Sequence, residues 1–194
     1  MNTTSLSLLE RLKSASPSAD DWRRLQEVYL PLVHHQLAAV SGLRDEADDL
    51  AQEVLIVLVR ELPTFERQRR GSFRAWLRQI TVNRVRTYCE GRRKVPGAGL
   101  GEDVERALAQ HEDPDSDLAR QWDREHDRHV VQKLLAVVRK DFDPKTWQAF
   151  TRFALDEAPA ADVARELDMS EGAVVQAKSR VLKRLREEAG DLMT

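Results

Sequence analysis

The sequence has one cysteine, Cys89. A disulfide within the chain is therefore excluded, and a reducing cytosol is the simplest setting, so a cytoplasmic location is expected. Glycine and proline are sparse, 8 and 7 in 194 residues, while leucine, alanine, arginine and glutamate are abundant, a balance that favours helix. No segment alternates apolar and polar residues as a half-buried strand does. The longest apolar run, Val54 to Val59, is far too short to cross a bilayer, which needs about 20 residues. The N-terminus lacks a basic start followed by an apolar stretch, so neither a signal peptide nor membrane insertion is expected. No repeats occur. The net charge is only −2, so total charge gives no pointer to nucleic acid; its distribution matters more.

What is present is apolar residue at 41% and charge at 33%, enough for a core with an unusually charged surface. The length suits one medium domain or two small ones. The expected fold class is all-α, with two small helical domains joined by a linker and a helix-turn-helix in the second. Residues 1 to 19 read as a loosely held tail, 20 to 94 as the first domain, 95 to 117 as a linker and 118 to 194 as the second domain. Asp20 or Asp21 is placed to cap a helix through Trp22, Leu25, Val28 and Tyr29, with Pro31 bending or restarting it. Asp45 is placed to cap the next, whose buried face is Leu50, Val54, Leu55, Leu58, Val59 and Leu62, with Pro63 at its end. Ser72 would cap a third, carrying Phe73, Trp76, Leu77, Ile80, Val82 and Val85. The stretch from Lys94 to Asp117 is rich in glycine, proline and acid, with at most a short helical turn around Val104 to Leu108. Further on, Val130, Leu134, Leu135 and Val138 form one stripe. Asp143-Pro144 starts a helix whose core is Trp147, Phe150, Phe153 and Leu155.

Residues 160 to 182 have helix-turn-helix spacing. Val163, Ala164 and Leu167 lie on the first helix, Asp168-Met169-Ser170 form the turn, and Val174, Ala177 and Val181 bury the second. The turn needs a left-handed residue, usually glycine; Asp168 tolerates that conformation better than most. Ser170 can cap the second helix. Its outward face carries Val175, Gln176, Lys178, Ser179, Arg180, Lys183, Arg184 and Arg186. Such a face suits the major groove, where Gln and Arg read base edges and Lys grips phosphate. An ordinary helical hairpin with a solvated basic face is the plainer alternative.

From Arg67 to Lys94 the chain is strongly basic. Arg67, Arg69, Arg70, Arg74, Arg78, Arg84, Arg86, Arg92, Arg93 and Lys94 are opposed within that span only by Glu90, and Phe73, Trp76, Asn83 and Tyr88 are interleaved. Arginines neutralise phosphates and aromatics stack on unpaired bases. Trp76 shares a face with Phe73, Leu77 and Ile80 and reads as core; Tyr88 is better placed for contact. Just upstream, Asp45, Asp48, Asp49, Gln52 and Glu53 form an acidic helix face. Paired carboxylates can hold a metal or transfer protons, but no histidine has matching spacing. A solvated helix start or a docking face for a basic partner is the better reading, with no catalytic, cofactor or metal site.

Acidic helix, basic aromatic helix, linker and helix-turn-helix occur in that order. The order resembles the extracytoplasmic-function (ECF) group of the sigma-70 family. Asp-Leu-x-Gln-Glu-Val stands at 49 to 54, Phe-x-x-Trp-Leu at 73 to 77 with Ile80 and Asn83 following, and DVARELDMSEGAVVQAKSRVLKRLRE is similar to the family's domain four. The resemblance implies a non-enzymatic factor that binds core RNA polymerase and directs promoter recognition. Asp48, Asp49, Gln52 and Glu53 would dock on the polymerase clamp helices. The loop from Pro63 to Gly71, Phe65 in particular, would lie near a flipped minus-ten base. Asn83, Arg84, Thr87 and Tyr88 would meet the opened strand. Val175, Gln176, Ser179, Arg180 and Lys183 would contact the minus-thirty-five promoter DNA. Such factors are commonly held by an anti-sigma factor, and nothing in the sequence identifies one. Where the family often has Asp and then Arg, this chain has Thr87 and Glu90. The competing readings are a stand-alone helix-turn-helix regulator, a metal-dependent nuclease built on Asp45, Asp48, Asp49 and Glu53, and a helical interaction protein.

Overall fold

The computed structural model describes residues 8–14, 16–66, 72–94 and 102–189. Every regular element among them is helical, as the scarcity of helix breakers and of alternating patterns leads one to expect. Close contacts divide the chain into two compact units, with the division inside a helix at Val130–Val131.

The first unit begins with a short helix, α1 (Leu8–Leu12), that the sequence suggested was part of a loose tail. Leu8, Leu9 and Leu12 are all buried, and Arg11 Nε reaches Asp21 Oδ1 at 2.8 Å. Residues 1–7 of that tail lie outside the described residues. Helix α2 (Ala19–Ala38) is capped by Ser18 rather than Asp20 or Asp21. Asp21 instead completes a capping box: its backbone N–H donates to Ser18 Oγ at 3.1 Å, and its carboxylate accepts from the Ser18 N–H at 3.3 Å. The helix runs unbroken through Pro31, because Val28, Tyr29, Leu32 and Val33 on both sides are buried together and hold the chain across one missing hydrogen bond.

Arg44–Glu46 form a 3-10 turn. Asp45 therefore lies within that turn, and α3 (Ala47–Glu61) starts without a side-chain cap. Its buried residues include Leu50, Val54, Leu55 and Leu58, the expected stripe, but Val59 is 40% exposed. A 100° step from Leu58 carries Val59 off the buried face. Pro63 falls in the 3-10 turn that ends the helix. Helix α4 (Ser72–Arg93) begins at Ser72 and buries Phe73, Leu77, Ile80, Val82, Val85 and Cys89. α2 packs on α3, and α3 on α4.

The stretch expected to be a linker contains an 11-residue helix, α5 (Glu102–Glu112), packed on α4; residues 95–101 are outside the described set. Its anchor is Val104, 0% exposed. Gly42, at φ +89°, leaves room for it, since a Cβ there would stand 3.3 Å from Val104 Cγ2; both the left-handed backbone and the space favour glycine. Helix α6 (Asp117–Val138) follows. Its first part belongs to this unit, with Trp122 and His126 buried. The compact boundary thus falls later than the composition change between 95 and 117, because apolar residues before Val131 pack with the N-terminal helices.

The second unit, from Val131, holds the end of α6, then α7 (Pro144–Phe150), α8 (Ala160–Glu166) and α9 (Glu171–Ala189). The helix starts at Asp143-Pro144 as expected, and Asp143 caps it, accepting from Thr146 N–H at 2.8 Å; that bond holds its carboxyl below the ordinary range. Leu155, expected in the core, is 51% exposed. Residues Thr151–Leu155 form a π turn, whose wider pitch rotates Leu155 out of the 3.6-residue phase.

Candidate nucleic-acid interface

α8 and α9, packed together, are the two helices expected to make the helix-turn-helix. Ala149, Val163, Ala164, Val174 and Ala177 make one buried cluster, with Leu167 and Met169 packed against it; Val181 joins Val138 and Phe150 in another. Asp168 has φ +49°. Met169 N–H then donates back to Ala164 C=O at 2.9 Å, the six-to-one bond of a Schellman turn, so aspartate occupies the position glycine usually takes. Ser170 Oγ accepts from Ala173 N–H at 3.2 Å, the expected cap. Gln176, Ser179, Arg180 and Lys183 are exposed, as is Val175. Arg180 lies over the Phe142 ring at 5.9 Å, and Lys178 over Phe153 at 5.0 Å. Arg184 is drawn aside into ion pairs with Asp141 at 2.8 Å and Glu188 at 3.1 Å.

In the first unit, Asp48, Asp49 and Gln52 are exposed on α3. Asp48 Oδ1 stands 3.3 Å from His34 Nε2, a pairing between separate helices that spacing along the chain does not reveal. Glu53 is half-buried and pairs with Arg84 of α4. The two were expected to serve different partners; in this structure they pair with one another between α3 and α4. Beside Gln52, the exposed Ile56 and Val59 join Trp22, Leu30 and Leu55 around an open groove of about 710 Å³. Ile56 is 67% exposed. The signal for it was available: within the run Val54 to Val59, position 56 is out of phase with the buried stripe. Among the described residues no group of three or more His, Cys, Asp or Glu could hold a metal ion.

Asn83 and Thr87 are exposed on α4. Asn83 Oδ1 accepts from Gln79 Nε2 at 3.0 Å, and Thr87 Oγ1 donates to Asn83 C=O at 3.0 Å, which orients both. Tyr88 is half-buried. Its hydroxyl accepts from Arg92 at 3.2 Å, and burial together with the Glu46 carboxylate raises its pKa above the ordinary value. Phe65 stacks on Trp76, centroids 4.6 Å apart, and meets Phe73 edge-on at 5.6 Å. Trp76 is thus only half-buried, part of an aromatic wall rather than of the deep core. Lys13 of the segment after α1 covers the Phe65 ring at 5.4 Å. Arg67, Arg69, Arg70 and Gly71 of the expected strand-facing loop lie outside the described residues.

The remaining basic side chains of α4 find acids that the sequence spacing did not announce. Arg74 pairs with Asp123 at 3.2 Å and Asp127 at 2.7 Å. Arg78, 7% exposed, pairs with Asp123 at 2.8 Å. Arg86 pairs with Glu112, Arg93 with Glu105, and Arg92 with Glu46 at 3.5 Å. Among the described residues, the arginines of α4 are thus paired in space with acids of α3, α5, α6 and the 3-10 turn before α3.

Residues 25–95, from within α2 to just past α4, match sigma-70 region 2. The ECF RNA polymerase sigma factor SigE of Mycolicibacterium smegmatis is 28% identical over 103 residues, 53% of this chain and 38% of that protein. The chain thus matches well under half the length of that relative. No helix among the described residues is long and apolar enough to cross a membrane. The matched span is the α2–α4 bundle that carries Asp48 to Glu53, Phe65 and Asn83 to Tyr88, and it is over this bundle that the chain is similar to sigma-70 region 2.

Proposed function

We propose that this chain is a sigma factor that binds core RNA polymerase and directs promoter recognition, strand opening and initiation. The observation that carries the reading is the region 2 match over 25–95 falling on a bundle with one exposed polar and apolar docking face and one exposed Asn-Thr face. A helix-turn-helix follows it in the same chain.

In this reading Asp48, Asp49 and Gln52 meet the polymerase clamp, with Ile56 and Val59 supplying apolar area beside them. Exposed apolar groups rimmed by polar ones suit a protein interface. Glu53 acts by holding Arg84, and so by setting α3 against α4, rather than by touching the polymerase directly. Asn83, Arg84, Thr87 and Tyr88 face the opened minus-ten strand. Phe65, already stacked on Trp76, offers an aromatic surface to a flipped base. Flipping costs a few kcal/mol per base, and stacking on an aromatic side chain returns about 1–3 kcal/mol, so capture offsets strand opening without making free duplex binding tight. Val175, Gln176, Ser179, Arg180 and Lys183 face the major groove of the minus-thirty-five element.

The test is binding of the purified chain to bacterial core RNA polymerase, beside a Gln52→Ala/Ile56→Ala variant. Both side chains are exposed, so the variant folds. Binding by the native chain that weakens at least tenfold in the variant supports the reading. Absence of native binding, together with tight binding to duplex DNA alone, favours a stand-alone regulator.

A further inference from the structure

The ion pairs of α4 are of two kinds. Arg78 is held in a buried site, where its side chain is 9% exposed against Asp123 and also reaches Ala119 C=O. Breaking such a pair strands a charge. Arg86 and Arg93 are different. Their side chains are 47% and 59% exposed, and their partners Glu112 and Glu105 are 35% and 55% exposed. Exposed pairs of this sort contribute little to stability and are readily exchanged for another anion.

Both acids stand on α5, the helix with the weakest hold on its unit. Val104 is its one fully buried residue. Ala107, Leu108 and His111 complete the contact around a small void of about 20 Å³. α2, α3 and α4 each bury six or more side chains. A segment with few buried apolar contacts opens locally at low cost. Beneath it, Cys89 shares a cleft with Arg86, Arg93, Glu105, Leu108 and Glu112.

We propose that Arg86 and Arg93 form a phosphate-binding site for a nucleic-acid strand, covered in the free protein by α5, whose Glu105 and Glu112 stand in for two backbone phosphates. The site adjoins Asn83 and Thr87 on the same helix and rests on the strand-facing role proposed above for that helix. A strand tracking α4 exchanges two surface ion pairs for two phosphate contacts and lifts α5, extending the strand-binding face toward Arg93. Arg74 and Arg78 stay with Asp123 and Asp127.

Cys89 is the chain's single thiol and is buried, so its alkylation rate reads the lifting of α5 without reference to nucleic acid. Burial also raises its pKa, with Arg93 opposing. The experiment uses the full chain, native and Glu105→Gln/Glu112→Gln, with a fluorescent 20-nucleotide single-stranded oligonucleotide over a salt series. The variant is expected to bind on the order of tenfold tighter. Arg86 and Arg93 neutralise two phosphates in both proteins, so the slope of log affinity against log salt should change little between them and should flatten by about 1.4 once both are replaced by glutamine. Cys89 should react several-fold faster in the variant, and faster in the native chain when oligonucleotide is added. Adding Arg86→Gln/Arg93→Gln to the variant removes the gain in affinity. Native binding with no change in affinity in the variant overturns the covered site, and tighter binding with unchanged Cys89 reactivity overturns the lifting of α5. If neither protein binds oligonucleotide, the strand-facing reading of α4 fails and the site with it; Cys89 reactivity then still reports whether the two ion pairs hold α5.

Discussion

Two helices of this protein carry dense positive charge, and they differ in what that charge is doing. On α9, Arg180 and Lys183 are exposed, and among the described residues no acid pairs with either. On α4, Arg74, Arg78, Arg84, Arg86, Arg92 and Arg93 are each paired with an acid from another part of the chain. Basic residues counted along a helix are therefore no measure of the charge it can offer a phosphate. On α9 Arg184 is tied to Asp141 and Glu188, while Arg180 and Lys183 stay available. On α4 the arginines are first structural ties, and what remains open is the Asn83–Thr87 face.

The comparison can be broken most severely by removing one side of it. Val174 is 0% exposed at the centre of the helix-turn-helix. Val174→Asp buries an unpaired carboxylate and is expected to cost more than about 3 kcal/mol. Hydrogen exchange should then show loss of protection from α7 to α9 while α2 to α4 keep theirs, and duplex DNA binding should vanish. Protection retained in α9 would contradict the packing described.

A milder pair of variants contrasts tied and free charge. Arg78→Ala removes a buried guanidinium and strips Asp123 of one of its two arginines; chemical denaturation should show about 1–3 kcal/mol lost. Lys183→Ala should change stability by no more than about 0.5 kcal/mol while weakening duplex binding and flattening its salt dependence. Equal stability losses would erase the distinction.

The covering helix adds a pH dependence. Burial, with Arg78 nearby, lowers the pKa of His111 from 6.5 to about 4; Trp122 packs edge-on against it at 5.6 Å, and Gln36 lines the same void. The unfolded chain then binds this proton more readily than the folded one. The stability associated with neutral His111 is present above about pH 6.5 and is lost as pH falls toward 4. The thermal midpoint of the native chain should fall more between pH 7 and 5 than that of His111→Leu. Parallel curves would sink the assignment. The smallest effect is expected at Asp168, whose φ of +49° glycine adopts without strain. Asp168→Gly should raise stability by about 0.5 kcal/mol in denaturant titration, and a loss would show that the aspartate does more than turn the chain.

These residues also show what a sequence reveals. The turn and cap between α8 and α9 were legible because their determinants are local: Val163, Asp168, Ser170 and Val174 lie within one turn-and-cap grammar. The stripe of α3 was legible from its period. Helix α5 was legible only as a short turn around Val104 to Leu108, because Val104 is its one fully buried residue and its stabilising surface lies on α4 and at Gly42. The partners of the α4 arginines were hidden for the same reason. Arg74 finds Asp127 at a separation of 53 residues and Arg84 finds Glu53 at 31, distances over which no periodicity speaks. Ile56 was available as an out-of-phase apolar residue but was masked by the run around it.

The central claim is that this chain directs initiation by core polymerase. Its most direct test is transcription in vitro: core RNA polymerase with and without the chain on genomic fragments from its own source, with start sites mapped at single-nucleotide resolution. The account predicts discrete, chain-dependent start sites sharing two upstream sequence elements, with Asn83→Ala weakening use of the nearer element and Gln176→Ala the farther. Start sites unchanged by the chain, with the chain folded and bound to the polymerase, would contradict it.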